Sequence, residues 1–378
     1  MTVGKASWTD HKTIDLNGLR VTLSEPVRVG QSRGYFWFPN LWVMPNGDLL
    51  STISPVPDIH MSDIPYLVTW SRDGGLTWSE PIVAGDGGQT LLHLHSGDSI
   101  LLPYQLRPRP DGMGAPHNLF LAGQRTFEYV PTGVVVTGWP APDRPPEPGL
   151  DVCGFSFNGQ TLWLENGTYL ATVYGRFEGD ERDTLIAVES TDGEHWTIRS
   201  VIADTNSTVP GKGGPSESAI CRLKDGRILC VFRVESAKPF GQTWSSDDGK
   251  TWTPAVTMPS DVFSVQPSLA VMQDGTVALS GGRPGLYLWL NADGAGQNWQ
   301  GIDILTHHND CHPEEPIPFS EDLSQQFTTA YTEVVAVDEN HLLYMYDRIP
   351  NHWQRIPEEM DDTNSVWLVR ATVEKAAG

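Results

Sequence analysis

The sequence predicts an all-β fold, a six-bladed β-propeller, and two independent repeats carry that prediction. The first is a two-strand phrase, an apolar alternating strand, a tight turn and a second strand, that occurs six times: LWVMPNGDLLSTI (41–53), LLHLHSGDSILLPY (91–104), LWLENGTYLATVYGR (162–176), AICRLKDGRILCVFR (219–233), SLAVMQDGTVALSGGR (268–283) and EVVAVDENHLLYMYDR (333–348). Its turn positions are Gly47, Gly97, Gly167, Gly226, Gly275 and Asn340, spaced 50, 70, 59, 49 and 65 residues apart. A period of this length in an all-strand chain is the mark of radial blades. The second repeat is Ser-x-Asp-x-Gly-x-Thr-Trp, present as SRDGGLTW (71–78) and SSDDGKTW (245–252), with STDGEHW (190–196) and NADGAGQNW (291–299) as shorter and longer copies. In such a box Asp and Ser cap local backbone groups, Gly gives the bend, and Trp packs back between sheets, which makes it a structural device.

The elements follow in chain order. In the first, third, fourth and fifth copies a box comes after the hairpin, where a third strand hands over to a fourth. The second copy lacks a box and runs into the Pro-rich WPAPDRPPEPG (139–149), which lengthens the connection into the third. The sixth supplies YTEVVAV, HLLYMYD and SVWLVRATVE (366–374) and ends one strand short. LRVTLSEPVRV (19–29) is the outer strand that completes it, pairing the two chain ends and removing exposed edges. One domain spanning 1–378 is therefore expected, a length that closed β architectures commonly reach as a single unit.

Strand counting also predicts which residues meet. The inner strand of each blade starts at one mouth of the central channel and its hairpin partner returns there. Nine residues before each turn, the starts are Phe38, Gly88, Asn158, Glu217, Gln266 and Tyr331. The returning ends are Asp58 with His60, Arg107 with Arg109, Arg176, Arg233, Arg283 and Arg348. Arginine thus stands at five of six equivalent ends in a chain with 25 Lys+Arg against 47 Asp+Glu. Its planar fork suits a carboxylate, sulfate or phosphate, which points to an acidic glycan partner.

The formal net charge of −22 argues against nucleic acid and anionic membranes, and no long apolar run or leader pattern is present. Cys153, Cys221, Cys230 and Cys311 show neither CxxC nor disulfide-dense spacing, as in a reducing compartment, although a removed export leader would leave the same chain. No cofactor or metal is expected, and the oligomeric state is left open.

Boxes of this form, each following a hairpin such as CRLKDGRILCVFR, resemble the sialidase (neuraminidase) superfamily of six-bladed β-propellers, over nearly the whole chain. The resemblance implies an exo-acting glycosidase for a terminal acidic sugar. It places a tyrosine nucleophile at Tyr331 in FTTAYTEVV and its activating glutamate at Glu217 in PSESAICRL. A phenol activated by a base attacks as a neutral group, where a carboxylate would be repelled by an acidic substrate. It also implies a general acid in PVPDIHMSDIPY (55–66), with Asp58, Asp63 and His60 as candidates. Arg233 and Arg283 match two positions of the family's arginine triad. At the third stands Trp37, suited to stacking on a sugar face, and Arg33, Arg176 or Arg348 would have to stand in. Gln266 would line the same mouth.

THHNDCHPEEP (306–316) has no place in that plan. His307, His308, Asp310, Cys311 and His312 admit three readings: loop histidines that contact sugar hydroxyls or act as acid and base, a hydrogen-bonded scaffold, or a transition-metal site, the last without a clean spacing such as HExxH. Two alternatives to a sialidase-type hydrolase follow. One is another carbohydrate-active enzyme on this fold, a uronate-directed lyase or a glycosidase using those histidines. The other is a glycan binder without turnover.

Overall fold

The computed structural model describes residues 7–58, 65–85, 87–139, 154–177, 179–262 and 265–376. Within these the regular structure is β-strand but for one short α-helix and one 3-10 turn, with the rest in turns and loops, and no helix is long and apolar enough to cross a membrane. His60, Asp63, Cys153 and most of the 139–149 connection lie outside the described residues.

The predicted hairpins form the inner pairs of antiparallel sheets. The first sheet runs Trp37–Val43, Leu49–Ser54, Tyr66–Ser71 and Ile82–Ala84 in order. Four-stranded meanders follow the fourth phrase (Ser218–Arg222, Ile228–Phe232, Gly241–Ser245, Val256–Thr257) and the fifth (Ser268–Val271, Val277–Gly282, Leu286–Asn291, Gln300–Asp303). The second and third phrases share one nine-stranded sheet, because Phe127–Thr137 pairs in parallel with His195–Ala203. Five of the six turns take glycine for a physical reason: Gly47, Gly97, Gly167, Gly226 and Gly275 have φ between 82° and 94°, where a Cβ is strained.

The N-terminal segment pairs with the last strand, as the sequence predicts, but with two strands. Leu19–Ser24 and Val27–Ser32 divide the 12-residue strand Asn364–Lys375 between them, and Asp10–Leu16 adds a further strand outside Leu19–Ser24.

The boxes are capping networks. In the first, Ser71 Oγ donates to Asp73 (2.9 Å) and accepts from the Gly75 amide (2.9 Å), and Asp73 accepts from the amide and hydroxyl of Thr77. Ser245, Asp247, Gly249 and Thr251 repeat the pattern, and Thr251's hydroxyl is the main group holding Asp247 down at about 2. Trp196 of the shortened box is fully buried against Phe157, with its indole N–H on the Gly193 carbonyl.

The chain divides into two compact units, Met1–Pro57 with Leu67–Ile82 and Ala270–Gly378, and Asp58–Tyr66 with Val83–Leu269. Each has its own apolar core: Leu41, Ile53, Met345, Val366 and Leu368 in the first, and Phe157, Val173, Ile186 and Trp196 among the core residues of the second.

Candidate functional site

In the first unit, polar and aromatic groups gather around Tyr331. Asp347, next to last in the strand His341–Arg348, is fully buried and organises them. Its carboxylate accepts from Thr328 Oγ1 (2.9 Å), the Thr329 amide (2.7 Å), Thr329 Oγ1 (2.5 Å) and the Phe38 amide (3.1 Å). Burial pushes this carboxyl above its usual range, against the pull of those donors. The turn it holds presents Tyr331, half-buried, two residues ahead of the strand Glu333–Ala336. Arg283 reaches the same turn, donating from Nε (3.2 Å) and Nη2 (2.5 Å) to the Thr329 carbonyl. Its guanidinium carbon lies 5.2 Å from the Tyr331 ring centre and 5.1 Å from that of Trp353. Phe38 meets Tyr331 edge-on at 4.8 Å.

The backbone here is strained. Among the described residues seven non-glycines have left-handed φ, and four belong to this cluster: Phe38 (49°), Arg283 (68°), Ala330 (58°) and His352 (56°), the last two adjoining Tyr331 and Trp353. Each such residue costs on the order of 1–3 kcal/mol, and such costs concentrate at binding and catalytic sites.

In the second unit, Glu217 and Arg233 are cross-strand neighbours just beyond Ser218–Arg222 and Ile228–Phe232. The Arg233 amide donates to the Glu217 carbonyl (2.8 Å), and Nη1 donates to Glu217 Oε2 (2.6 Å). Arg233 also donates to Ser236 (2.7 Å). Arg176, after Tyr169–Gly175, donates to Asp183 (3.2 Å). Burial raises the Asp183 carboxyl, Arg176 opposes the rise, and Glu217 and Arg233 lie close enough to act on it. Tyr104 and Tyr174 share a hydrogen bond of 2.7 Å beside these groups, and burial, then Glu217, pushes the Tyr104 phenol up.

Counting back along the strands is sound within one residue. The buried Asn158 amide donates to Gln89 (3.0 Å) and Gln266 (3.1 Å) and accepts from the Ser218 amide (2.9 Å), so four predicted strand starts in this unit do converge. The groups that meet Asn158 there are the Gln89 side chain and the Ser218 backbone amide, one residue beyond the predicted Gly88 and Glu217. Gln266 is thereby a buried partner of Asn158.

Several expectations need correction. Trp37 is fully buried, its indole N–H donates to the Val56 carbonyl (2.9 Å), and its ring packs on Tyr35 and Phe38, so no face is open to a sugar. Of the half-buried aromatics, Phe38 packs on Tyr331 and Trp353 lies against Arg283 and Phe38. Arg348 is buried and holds Asp362 bidentately (2.8 and 2.9 Å), which makes it a structural cation. Arg33 is exposed and donates to the Pro357 carbonyl. Arg107 and Arg109 are exposed, and Arg109 donates to the Thr132 carbonyl (2.8 Å). Asp58 is exposed at the edge of the described residues.

The histidine segment is the helix α1 (Ile304–Cys311), capped by Asp303 accepting from the Thr306 amide (2.8 Å). Helical spacing turns His307 and His308 inward, where both are buried. His308 Nε2 donates to the Glu315 carbonyl (2.9 Å), which leaves Nδ1 to accept from the Tyr346 hydroxyl (2.7 Å). Burial holds this ring neutral, down at about 4. Neither ring nitrogen is left for a sugar, and the scaffold reading holds for His308. Missed from sequence were Asp347, Trp353, Asp183 and the Tyr104–Tyr174 pair; Asp347, Tyr104 and Tyr174 lie inside the hairpin phrases, but beside the positions that strand counting singles out.

Comparison with known proteins sets this geometry in context. No curated protein sequence matches the chain. Among solved structures it is similar to a protein of unknown function from Dyadobacter fermentans (16% identity, TM-score 0.66, covering 96% of this chain and all of that one). It is also similar to the Trypanosoma rangeli sialidase (17%, TM-score 0.56, covering 92% of this chain and 56% of that one). A third is the Penicillium chrysogenum α-L-arabinanase (16%, TM-score 0.58, 91% and 97%). The family model described as BNR repeat-like domain matches residues 139–345. With more than half of its length matched, the chain belongs to this BNR repeat-like domain family.

Proposed function

We propose that this chain is an exo-acting glycoside hydrolase, a single six-bladed propeller whose last blade is completed by the N-terminal strands, and that it removes a terminal acidic sugar. The observation that carries the reading is the strained cluster around Tyr331, where Phe38 and the Arg283 guanidinium lie against a phenol on an over-determined turn and Trp353 lies against the same guanidinium. Tyr331 serves as nucleophile and Arg283 binds the sugar's carboxylate, while for Glu217 and Arg233 the roles of activating base and second carboxylate-binding arginine rest on the sequence resemblance alone. Trp353 and Phe38 offer the apolar surface for the sugar ring. Similarity to a sialidase supports the reaction class. Asp58, Asp63 and His60 remain the candidates for the acid.

A second reading is favoured by the second unit. Asp183, raised by burial, is suited to act as a general acid, and Glu217 is the carboxylate beside it. A pair of this kind hydrolyses neutral glycosides, and the arabinanase is similar over nearly its whole length.

The test is turnover of a fluorogenic α-sialoside, a β-glucuronide and an α-L-arabinofuranoside by the parent protein, Tyr331→Phe and Asp183→Asn. Cleavage of an acidic glycoside that Tyr331→Phe abolishes and Asp183→Asn spares supports the first reading. Cleavage of the arabinofuranoside with the opposite pattern supports the second. Binding without turnover of any substrate would leave a glycan-binding protein.

A further inference from the structure

The segment that leaves the sugar chemistry without a histidine has another use. His307 and Cys311 stand one turn apart on α1, with Cys311 Sγ 4.0 Å from His307 Nε2. His11, on the outermost N-terminal strand Asp10–Leu16, meets His307 at 5.4 Å between ring centres, tilted 66°. One ligand atom from each of the three lies within 4.8 Å of the other two. Tetrahedral zinc, with Zn–N about 2.0–2.1 Å and Zn–S about 2.3 Å, sets its ligand atoms ~3.3–3.7 Å apart, so closure takes shifts of up to about 1.5 Å.

We propose that His11, His307 and Cys311 bind a borderline-soft divalent metal ion, zinc(II) by preference, with water or Asp310 as the fourth ligand. The chemistry of the donor set argues for it: two imidazoles and a thiolate select zinc over magnesium or calcium, which take oxygen ligands. His307 is 1% exposed, and its Nδ1 has no hydrogen-bond partner while Nε2 lies 2.8 Å from the Ser24 carbonyl. With Nε2 donating to the Ser24 carbonyl, Nδ1 carries the lone pair that takes the ion, the usual support of a metal-bound histidine, and Cys311 Sγ, which lies 4.0 Å from Nε2, turns toward it on binding. His11 is exposed and Cys311 partly so, which gives the ion a way in. Lys12, the nearby cation, is offset by Asp310 at 3.5 Å, and burial, then Glu25 and Asp310, pushes the Cys311 thiol up to about 11, a rise that the bound cation has to overcome. Binding replaces the thiol proton, which leaves to solvent, by the metal. The ion would fasten the N-terminal strand to α1, two elements far apart in sequence.

The test uses untagged, reduced, full-length protein stripped with chelator and titrated with cobalt(II). The expected result is one ion per chain, with intense visible bands of a four-coordinate site and a thiolate-to-cobalt charge-transfer band, all displaced by zinc. Cys311→Ser should abolish the charge-transfer band, and His11→Ala, at an exposed position that the fold does not need, should weaken zinc binding at least tenfold. His195→Ala, with a side chain 73% exposed and far along the sequence, should leave it unchanged. Zinc should also slow amide exchange in residues 10–16 of the parent protein and not of His11→Ala. Failure of cobalt to bind at one per chain, or binding that survives both His11→Ala and Cys311→Ser, overturns the proposal.

Discussion

Acid should unfold this protein through its buried histidines before its carboxylates are reached. His117 and His308 are both fully buried and desolvation holds each down at about 4, with His307 lowered in the same direction. In the unfolded chain each titrates near 6.5. Since the folded value lies below the unfolded one, the folded state resists a proton that the unfolded state accepts. The stabilisation is complete above about pH 7 and is lost as pH falls through 6.5 toward 4. By about pH 5 each of the two costs roughly 2 kcal/mol, and the pair about 4 kcal/mol, against a total stability on the order of 5–15 kcal/mol. Near pH 5 the two histidines contribute a slope approaching 2.5 kcal/mol per pH unit, or about 1.8 protons, to which His307 adds and which the raised carboxyls of Asp347 and Asp183 oppose. Asp247, held at about 2, contributes its own loss only below about pH 4, outside this window. Urea midpoints followed by the fluorescence of the 14 tryptophans, from pH 7.5 to 5, would measure the slope. His117 makes no hydrogen bond from either ring nitrogen, so His117→Leu should cost little at about pH 7 and remove close to one proton of the linkage. A midpoint that stays flat from about pH 6.5 to 5, or a slope unchanged in His117→Leu, would refute the reasoning.

Three further outcomes are expected. Tyr331→Phe should lower kcat by about a thousandfold or more with the urea midpoint unchanged, because the hydroxyl and not the ring carries the proposed chemistry. Arg348→Ala should destabilise by about 3–5 kcal/mol, since it strands Asp362 beside a buried site, while KM for an acidic glycoside stays within about threefold; a tenfold rise in KM at unchanged stability would restore Arg348 as a substrate ligand. Asp347→Asn should lower both stability and turnover, because an amide accepts at one oxygen only and turns N–H groups toward the Thr329 hydroxyl. Its kcat should fall more than its KM rises, as expected of a residue that positions Tyr331.

The sequence made the repeats legible because each rests on a local rule. A glycine at φ near 90° between two alternating strands, and an Asp two residues after a Ser, need no tertiary knowledge, and all ten predicted hairpins and boxes are present. Long-range convergence was legible within one residue, as Asn158 with Gln266 shows. One residue is nevertheless a whole face of a strand. Counting arrived at Arg348, which turns to Asp362, while its neighbour Asp347 turns the other way, to Phe38 and Thr329. Burial was not legible: Trp37 and Phe38 stand side by side at a strand start, and only packing decides that one is core and the other half-open. Helix α1 was missed because its polar THHNDC carries no apolar stripe, and the Asp303 cap that starts it reads equally well as a turn residue.

The two units are built alike where chemistry is proposed. In each, an arginine at the end of a returning hairpin strand is fastened at the start of an inner strand: Arg233 to the Glu217 side chain, Arg283 to the carbonyl two residues before Tyr331. Fastening a guanidinium this way removes rotamer freedom before any ligand arrives, which lowers the entropic cost of binding an anion. The units differ in how rigidly the partner is held. Glu217 is set by cross-strand pairing with Arg233, and no non-glycine beside it takes a left-handed φ. The turn before Tyr331 departs from regular geometry at Ala330 and draws on a buried carboxylate with four donors to stay there. A turn serving only to connect strands would relax to a glycine or a regular conformation at no cost to the sheets. Retaining that strain beside Arg283 and Phe38, which are themselves left-handed, is what a phenol fixed in one orientation requires, and it is why Tyr331 rather than Glu217 is the residue on which the functional reading turns.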